Sequence, residues 1–212
     1  MKKLQNGRSM VEMLGVLAII GVLSVGAIAG YQKAMFKHKI NKTIQEISLL
    51  FQSLVELDTK NIGENVEIVS GEDIVKYSIL PQCEVIDTRD GLSGCKLPVG
   101  YARLTLCNGD YGYGKGLHGY IEIGLTQDSV NSCIGILSNH FENIIPENLW
   151  GELGYISIDS TGMSEGVWSI CDGDSCLYKT PKILTMDSIQ TNCNNLCKNQ
   201  NCIIAFVIRQ EH

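Results

Sequence analysis

Residues 13–32 read MLGVLAIIGVLSVGAIAGYQ, twenty positions without a charge, flanked by Glu12 on one side and Lys33 on the other. Twenty helical residues span about 30 Å, the thickness of the hydrocarbon core of a bilayer. The helical pattern continues beyond them. Phe36, Ile40, Ile44, Ile47, Phe51 and Leu54 recur at spacings of 4, 4, 3, 4 and 3, a single apolar stripe at helical period. Lys37, Asn41, Lys42, Gln45, Glu46, Gln52 and Glu56 fall mainly off that stripe, and no proline precedes Pro81. The expectation is one helix from about Ser9 to about Leu57, roughly 70–75 Å long. Its first half is apolar all round and suits lipid. Its second half is amphipathic and should pack on a folded domain.

Upstream of the apolar run the chain reads MKKLQNG and then RSMVE, ending at Glu12. Lys2 and Lys3 favour a cytoplasmic start. Lys33, Lys37, Lys39 and Lys42 lie on the other side and weaken that orientation signal. The cysteines decide it. All nine lie between positions 83 and 202, outside the apolar helix, as expected of a domain exported to an oxidising compartment and stapled by disulfides. The odd number leaves at least one free thiol or an intermolecular bond.

Charge divides the chain in the same way. Residues 1–42 carry a net +6, which leaves −12 on the other 170 residues, because the whole chain carries −6. An acidic body argues against a broad phosphate-binding surface, so no nucleic-acid partner is expected.

Glu12 is the residue that needs a reason. A carboxylate at the head of a membrane helix costs a few kcal/mol unless it is paired. With Lys2, Lys3, Gly7 and the uncharged run 13–32, Glu12 completes a pattern that resembles the type IV pilin and pseudopilin family. In that family a membrane peptidase cuts after the glycine, the new amine is methylated, and the glutamate pairs with the amine of a neighbouring subunit. Carried over, the resemblance implies cleavage between Gly7 and Arg8 and an assembly role for Glu12. It departs at Arg8, where many relatives have Phe or Met, and this puts methylation in doubt. The competing reading is a secretory signal peptide cut after Ala27-Ile28-Ala29, which would release a soluble, disulfide-rich binding domain starting at Gly30. Glu12 and the uninterrupted helical pattern beyond Gly30 argue against it. Gly26 and Gly30 form a GxxxG pair that allows close helix contact. Glycines from Gly21 to Gly30 also weaken the helix locally.

Downstream, residues 58–100 are turn-rich, and a loop with a short helix near Glu72 to Tyr77 is expected, with Cys83 and Cys95 close enough in sequence to bridge. Tyr101–Cys107 and Gly119–Leu125 alternate as strands, with Ile121, Ile123 and Leu125 on one face. Residues 128–141 read as a helix with Val130, Cys133, Ile134, Leu137 and Phe141 on one side. Tyr155–Ile158 and Val167–Ile170 are short strand candidates. A short helix carries Met186, Ile189, Cys193, Leu196 and Cys197, and Ile203–Ile208 is a buried strand. The fold class is therefore α+β: a long helix, membrane-spanning in its first half, packed on an antiparallel sheet with short helices and disulfides. The domains expected are a leader at 1–7, the helix at 8–57 with its membrane segment 13–32, and an extracytoplasmic domain at 58–212.

This order resembles the type IVb subgroup, to which toxin-coregulated and conjugative pilins belong. Its members bridge a cysteine on a mid-domain helix to one before the last strand. The resemblance implies Cys133 as the first partner and favours Cys197 as the second, with Cys193 as the alternative. Cys171 and Cys176 could form a small local bridge.

Chemical sites are sparse. Gly109, Gly114 and Lys115 match a phosphate loop, but Gly116 stands where Ser or Thr should be, and a strand rather than a helix follows. Cys193, Cys197 and Cys202 suggest zinc, yet no histidine offers a convincing fourth ligand, so no metal is expected. Asp172-Gly-Asp174 lacks a calcium ligand series. His38, His118, His140 and His212 form no HExxH pair, and there is no GxSxG. Trp150 and Trp168 suit core packing better than adhesion. No catalytic residues and no cofactor are expected. The resemblance implies a filament subunit, with other pilins, the prepilin peptidase, the inner-membrane assembly machinery and the membrane as partners. It would reside in the inner membrane before assembly, and in an extracellular pilus or a periplasmic pseudopilus afterwards. A pseudopilin or minor pilin fits the same residues.

Overall fold

The computed structural model describes residues 10–59, 67–68, 70–88, 93–108, 117–139, 144, 153–159, 168–169, 185–198 and 202–209. Contacts divide the chain into two compact units, Met1–His38 and Lys39–His212. One helix, α1 (Met10–Thr59), runs through 50 residues. At 1.5 Å per residue it is about 75 Å long.

Within the second unit, α1 buries Ile40, Thr43, Ile47, Leu50 and Leu54, at alternating spacings of 3 and 4, together with Phe51. This seam differs from the expected one. Ile44 is half-buried, and Thr43 and Leu50 take the inner positions. The buried positions keep a 3.5-residue repeat, and that repeat turns Ile44 to the edge. Phe51 meets Phe206 edge to face, with centroids 5.4 Å apart at 89°.

An antiparallel sheet forms the body. Its strands are β1 (Glu67–Ile68), β2 (Val85–Asp87), β3 (Ser93–Leu97), β4 (Gly100–Asn108), β5 (Leu117–Leu125), β6 (Leu153–Asp159), β7 (Trp168–Ser169) and β8 (Cys202–Arg209). The spatial order is β2-β3-β4-β5-β8-β6-β7, with β1 also paired to β4. The strand β8 thus enters the middle of the sheet, between β5 and β6. Register follows the period-2 pattern. Ala102, Ile123 and Ile204 are in line across three strands, as are Leu104, Ile121 and Phe206. All six are fully buried on the face that meets Phe51. The opposite face carries Tyr101 beside Gly124 and Arg103 beside Glu122. A side chain at Gly124 would collide with the Tyr101 ring, so the glycine there lets the aromatic ring lie across the strand.

Four strands account for the alternation expected at 101–107, 119–125, 155–158 and 203–208. The segment 58–100 is more ordered than the expected loop, since β1, β2 and β3 all lie within it, β2 pairing with β3 and both β1 and β3 with β4. Short strands set among turn residues leave little periodicity, and their pairing is fixed by β4 and by the Cys83–Cys95 bridge.

Helix α2 (Gly71–Lys76) starts with a capping box. The Ser70 hydroxyl accepts from the Asp73 N–H at 3.1 Å, and the Ser70 N–H donates to the Asp73 carboxylate at 3.3 Å. Helix α3 (Ser129–Leu137) buries Ser129, Ser132, Cys133, Ile136 and Leu137. Its inner face is therefore turned from the expected one, leaving Val130 and Ile134 half-buried. The polar residues on that face are satisfied: Ser129 Oγ donates to the Leu125 carbonyl at 3.0 Å, and Ser132 Oγ to the Gln127 carbonyl at 2.6 Å. A side chain at Gly135 would come within 3.2–3.4 Å of Ile40, so α3 approaches α1 closely there. Helix α4 (Met186–Leu196) is capped by Thr185, whose hydroxyl accepts from the Ser188 N–H at 3.3 Å.

Candidate functional site

Between Met10 and Tyr31 every large apolar side chain of α1 is exposed, from Ile20 at 53% to Met10 at 83%. Side chains added at Gly15, Gly21, Gly26 and Gly30 would meet nothing within 4 Å. Ser24 closes its own hydrogen-bond account by donating to the Ile20 carbonyl at 2.7 Å, as a hydroxyl in lipid must. Among the described residues α1 is one helix long and apolar enough to cross a membrane. Glu12 stands exposed in its first turn, where the positive end of the helix dipole favours a carboxylate. A continuous apolar surface of this extent is not left to water in a soluble monomer.

The cysteines of the second unit are placed by separate elements. One disulfide joins Cys83 to Cys95 on β3, with a Cα–Cα distance of 5.2 Å. A second ties α3 to α4 through Cys133 and Cys193, with Cα atoms 5.8 Å apart. A third joins Cys197, the C-cap of α4, to Cys202 at the start of β8, with Cα atoms 4.8 Å apart. Of the two expected partners of Cys133, the favoured Cys197 and the alternative Cys193, the structure joins it to Cys193. Cys193 lies mid-helix and faces the core beside α3, whereas Cys197 sits where α4 ends and the chain turns into β8. The end of α4 is therefore what gives Cys197 to Cys202 instead.

Two further polar groupings shape the body. Arg103 and Glu122 form a cross-strand ion pair through Nε and a terminal guanidinium nitrogen, with side-chain exposures of only 6% and 12%. At the start of α2, Ser93 Oγ accepts from the Gly71 N–H at 2.9 Å and donates to the Glu72 carboxylate. The Ser93 hydroxyl holds the Glu72 carboxyl below the usual carboxylate range, assisted by a backbone hydrogen bond.

No protein-family model matches the chain, and no curated protein matches it. A comparison with solved structures finds a likeness to the crystal structure of type IV b pilin from Salmonella typhi. The likeness covers 81% of this chain and 99% of that one, at 10% identity and a TM-score of 0.46.

Of the residues singled out from sequence, Glu12, Cys83, Cys95, Cys133, Cys193 and Cys197 lie within the described part of the structure. Gly7 and Arg8, the Cys171–Cys176 pair, the phosphate-loop residues Gly109, Gly114 and Lys115, and Trp150 lie outside the described residues. Sequence reading missed the Cys202 partnership and the Arg103–Glu122 pair. The strand alternation places both charged residues on the outer face, but pairing them requires the β4–β5 register.

Proposed function

We propose that this chain is a structural subunit of a type IVb-like pilus or related filament, made as a membrane-anchored precursor and polymerised through α1. The observation that carries this reading is the fully exposed, uncharged stretch 13–32, headed by the single carboxylate of Glu12 and continuous with the helix that bears the folded domain. Such a surface is satisfied either by lipid before assembly or by the same helix of neighbouring subunits afterwards. Small residues such as Gly26 and Gly30 permit the close approach that helix association in an apolar medium needs. Glu12 then has a task. Enclosed among the apolar helices of a filament it carries a penalty of a few kcal/mol unless a cation meets it. A cut between Gly7 and Arg8 frees an amine that can serve as that cation on an adjoining copy. The lysines ahead of the span favour a cytoplasmic start, and the three disulfides suit a head exported beyond the membrane. The partners in this reading are other pilin subunits, the prepilin peptidase and the assembly machinery. No catalytic role is proposed.

Edman sequencing of the mature protein tests the reading. Arg8 is the expected first residue; Gly30 would mean a released soluble domain and would end the proposal. Glu12→Ala should insert into the membrane normally, yet lower filament yield at least about tenfold, the factor that ~1.4 kcal/mol corresponds to. Undiminished yield from that variant would remove the pairing role.

A further inference from the structure

The two disulfides of α3, α4 and β8 are not independent. Beyond the covalent pairs, the sulfurs of Cys133, Cys197 and Cys202 all lie within 4.8 Å of one another, and the sulfur of Cys193 is bonded to that of Cys133. Each of the four cysteines is at most 1% exposed. Cys193 lies on α4 and Cys197 caps it four residues later, Cys202 opens β8 five residues further on, and Cys133 arrives from α3. Two structural bridges need only two pairs of near cysteines. Nothing in that role requires a sulfur of one bridge to sit beside both sulfurs of the other. Three sulfurs thus gather at one buried point, and Cys193, one S–S bond away from Cys133, completes the four-cysteine donor set of a closed zinc site, in which Zn–S bonds of about 2.3 Å place the sulfurs about 3.8 Å apart. The fourth ligand that the local sequence lacks is Cys133, contributed from 60 residues upstream of Cys193.

We propose that in the reduced chain Cys133, Cys193, Cys197 and Cys202 hold one zinc ion as a tetrathiolate, and that oxidation converts the same four sulfurs to the two disulfides of this structure. On binding, four thiols lose four protons and Zn²⁺ gains four Zn–S bonds. On oxidation, two molecules of a disulfide oxidant accept the four electrons. The four protein thiolates become two S–S bonds, four small-molecule thiolates leave, and Zn²⁺ is released. The metal-held form would pin α3, α4 and β8 together before the bridges exist. This goes beyond the filament reading, because the site requires only the reduced second unit and not the assembly role of α1.

The experiment uses the full chain in detergent, reduced with a phosphine under anaerobic conditions, loaded with zinc and desalted. Zinc per chain is measured, and cysteines shielded from alkylation are mapped by peptide mass. One zinc per chain is expected, with protection of positions 133, 193, 197 and 202 and full alkylation of 83 and 95. Cobalt in place of zinc should give the visible bands of a tetrahedral thiolate site. Adding a disulfide oxidant should release the zinc and restore Cys133–Cys193 and Cys197–Cys202. Cys202→Ser should weaken retention at least tenfold, whereas Cys83→Ser with Cys95→Ser should not. Retention well below one zinc per chain, or protection falling on other cysteines, overturns the site. So does undiminished binding by Cys202→Ser. The protection map of the unsubstituted chain decides the matter even if a serine variant misfolds.

Discussion

Arg103 is the most consequential single residue of the body that the assembly reading does not use. Its guanidinium meets Glu122 across β4 and β5 with almost no water at either group. Removing one member of such a pair leaves the other charge buried, which costs about 3–5 kcal/mol, while replacing both by apolar groups costs far less. Arg103→Met alone should therefore destabilise strongly in urea, and Arg103→Met with Glu122→Leu should recover most of the loss. If the double variant is as unstable as the single, the penalty lies in packing and not in the stranded carboxylate. A milder effect is expected at Ser93. Its hydroxyl is the main cause of the lowered Glu72 pKa. Ser93→Ala should raise that pKa towards the ordinary carboxylate value in a carbon-detected NMR titration. The sign of the linkage follows: a depressed folded pKa lends stability above the unfolded pKa, and that stability is lost as pH falls through the folded value. The variant should lose less stability on acidification than the parent. An unmoved Glu72 titration would assign the shift to something other than the hydroxyl.

At the scale of elements, α1 was legible because length and periodicity are local properties of sequence. The uncharged run 13–32 and the stripe from Ile40 to Leu54 needed no knowledge of the rest of the chain. The long strands were legible for the same reason, since Ile121, Ile123 and Leu125 alternate visibly and lie in register with Phe206, Ile204 and Cys202. What stayed hidden depends on partners distant in sequence. β2 and β3 are short, lie among turn residues, and are defined by pairing with each other and with β4. The inner face of α1 shifted to Thr43 and Leu50 because the surface beneath selects the seam, whereas the apolar residues alone allow neighbouring ones. The choice between Cys193 and Cys197 was set by where α4 ends, which no spacing rule reveals. Phe51 measures how far α1 belongs to the body. It is fully buried, and its ring stands edge to face on Phe206 of β8. Phe51→Ala should cost about 3–5 kcal/mol in denaturant unfolding of the second unit. A loss under 1 kcal/mol would mean that the amphipathic half of α1 is only lightly docked.

For the whole molecule, the disulfides divide the labour unequally, and chain entropy says how. Closing a loop restricts the unfolded chain more as the loop lengthens. The bridged residues are 60 apart for Cys133–Cys193, 12 for Cys83–Cys95 and 5 for Cys197–Cys202. On the loop-length relation these correspond to about 4, 3 and 2 kcal/mol respectively. Position reinforces the order. Cys133–Cys193 fastens α3 to α4 in the core, Cys83–Cys95 only anchors the β2–β3 corner, and Cys197–Cys202 ties the end of α4 to the start of β8. Replacing both cysteines of a pair by serine should therefore lower the unfolding midpoint most for 133 with 193, less for 83 with 95, and least for 197 with 202. Thermal unfolding of the three double variants beside the parent reads the order directly. Should the 197–202 variant be the least stable instead, loop length is not what governs. The stability of the head would then rest on the tie between the end of α4 and β8 at the centre of the sheet.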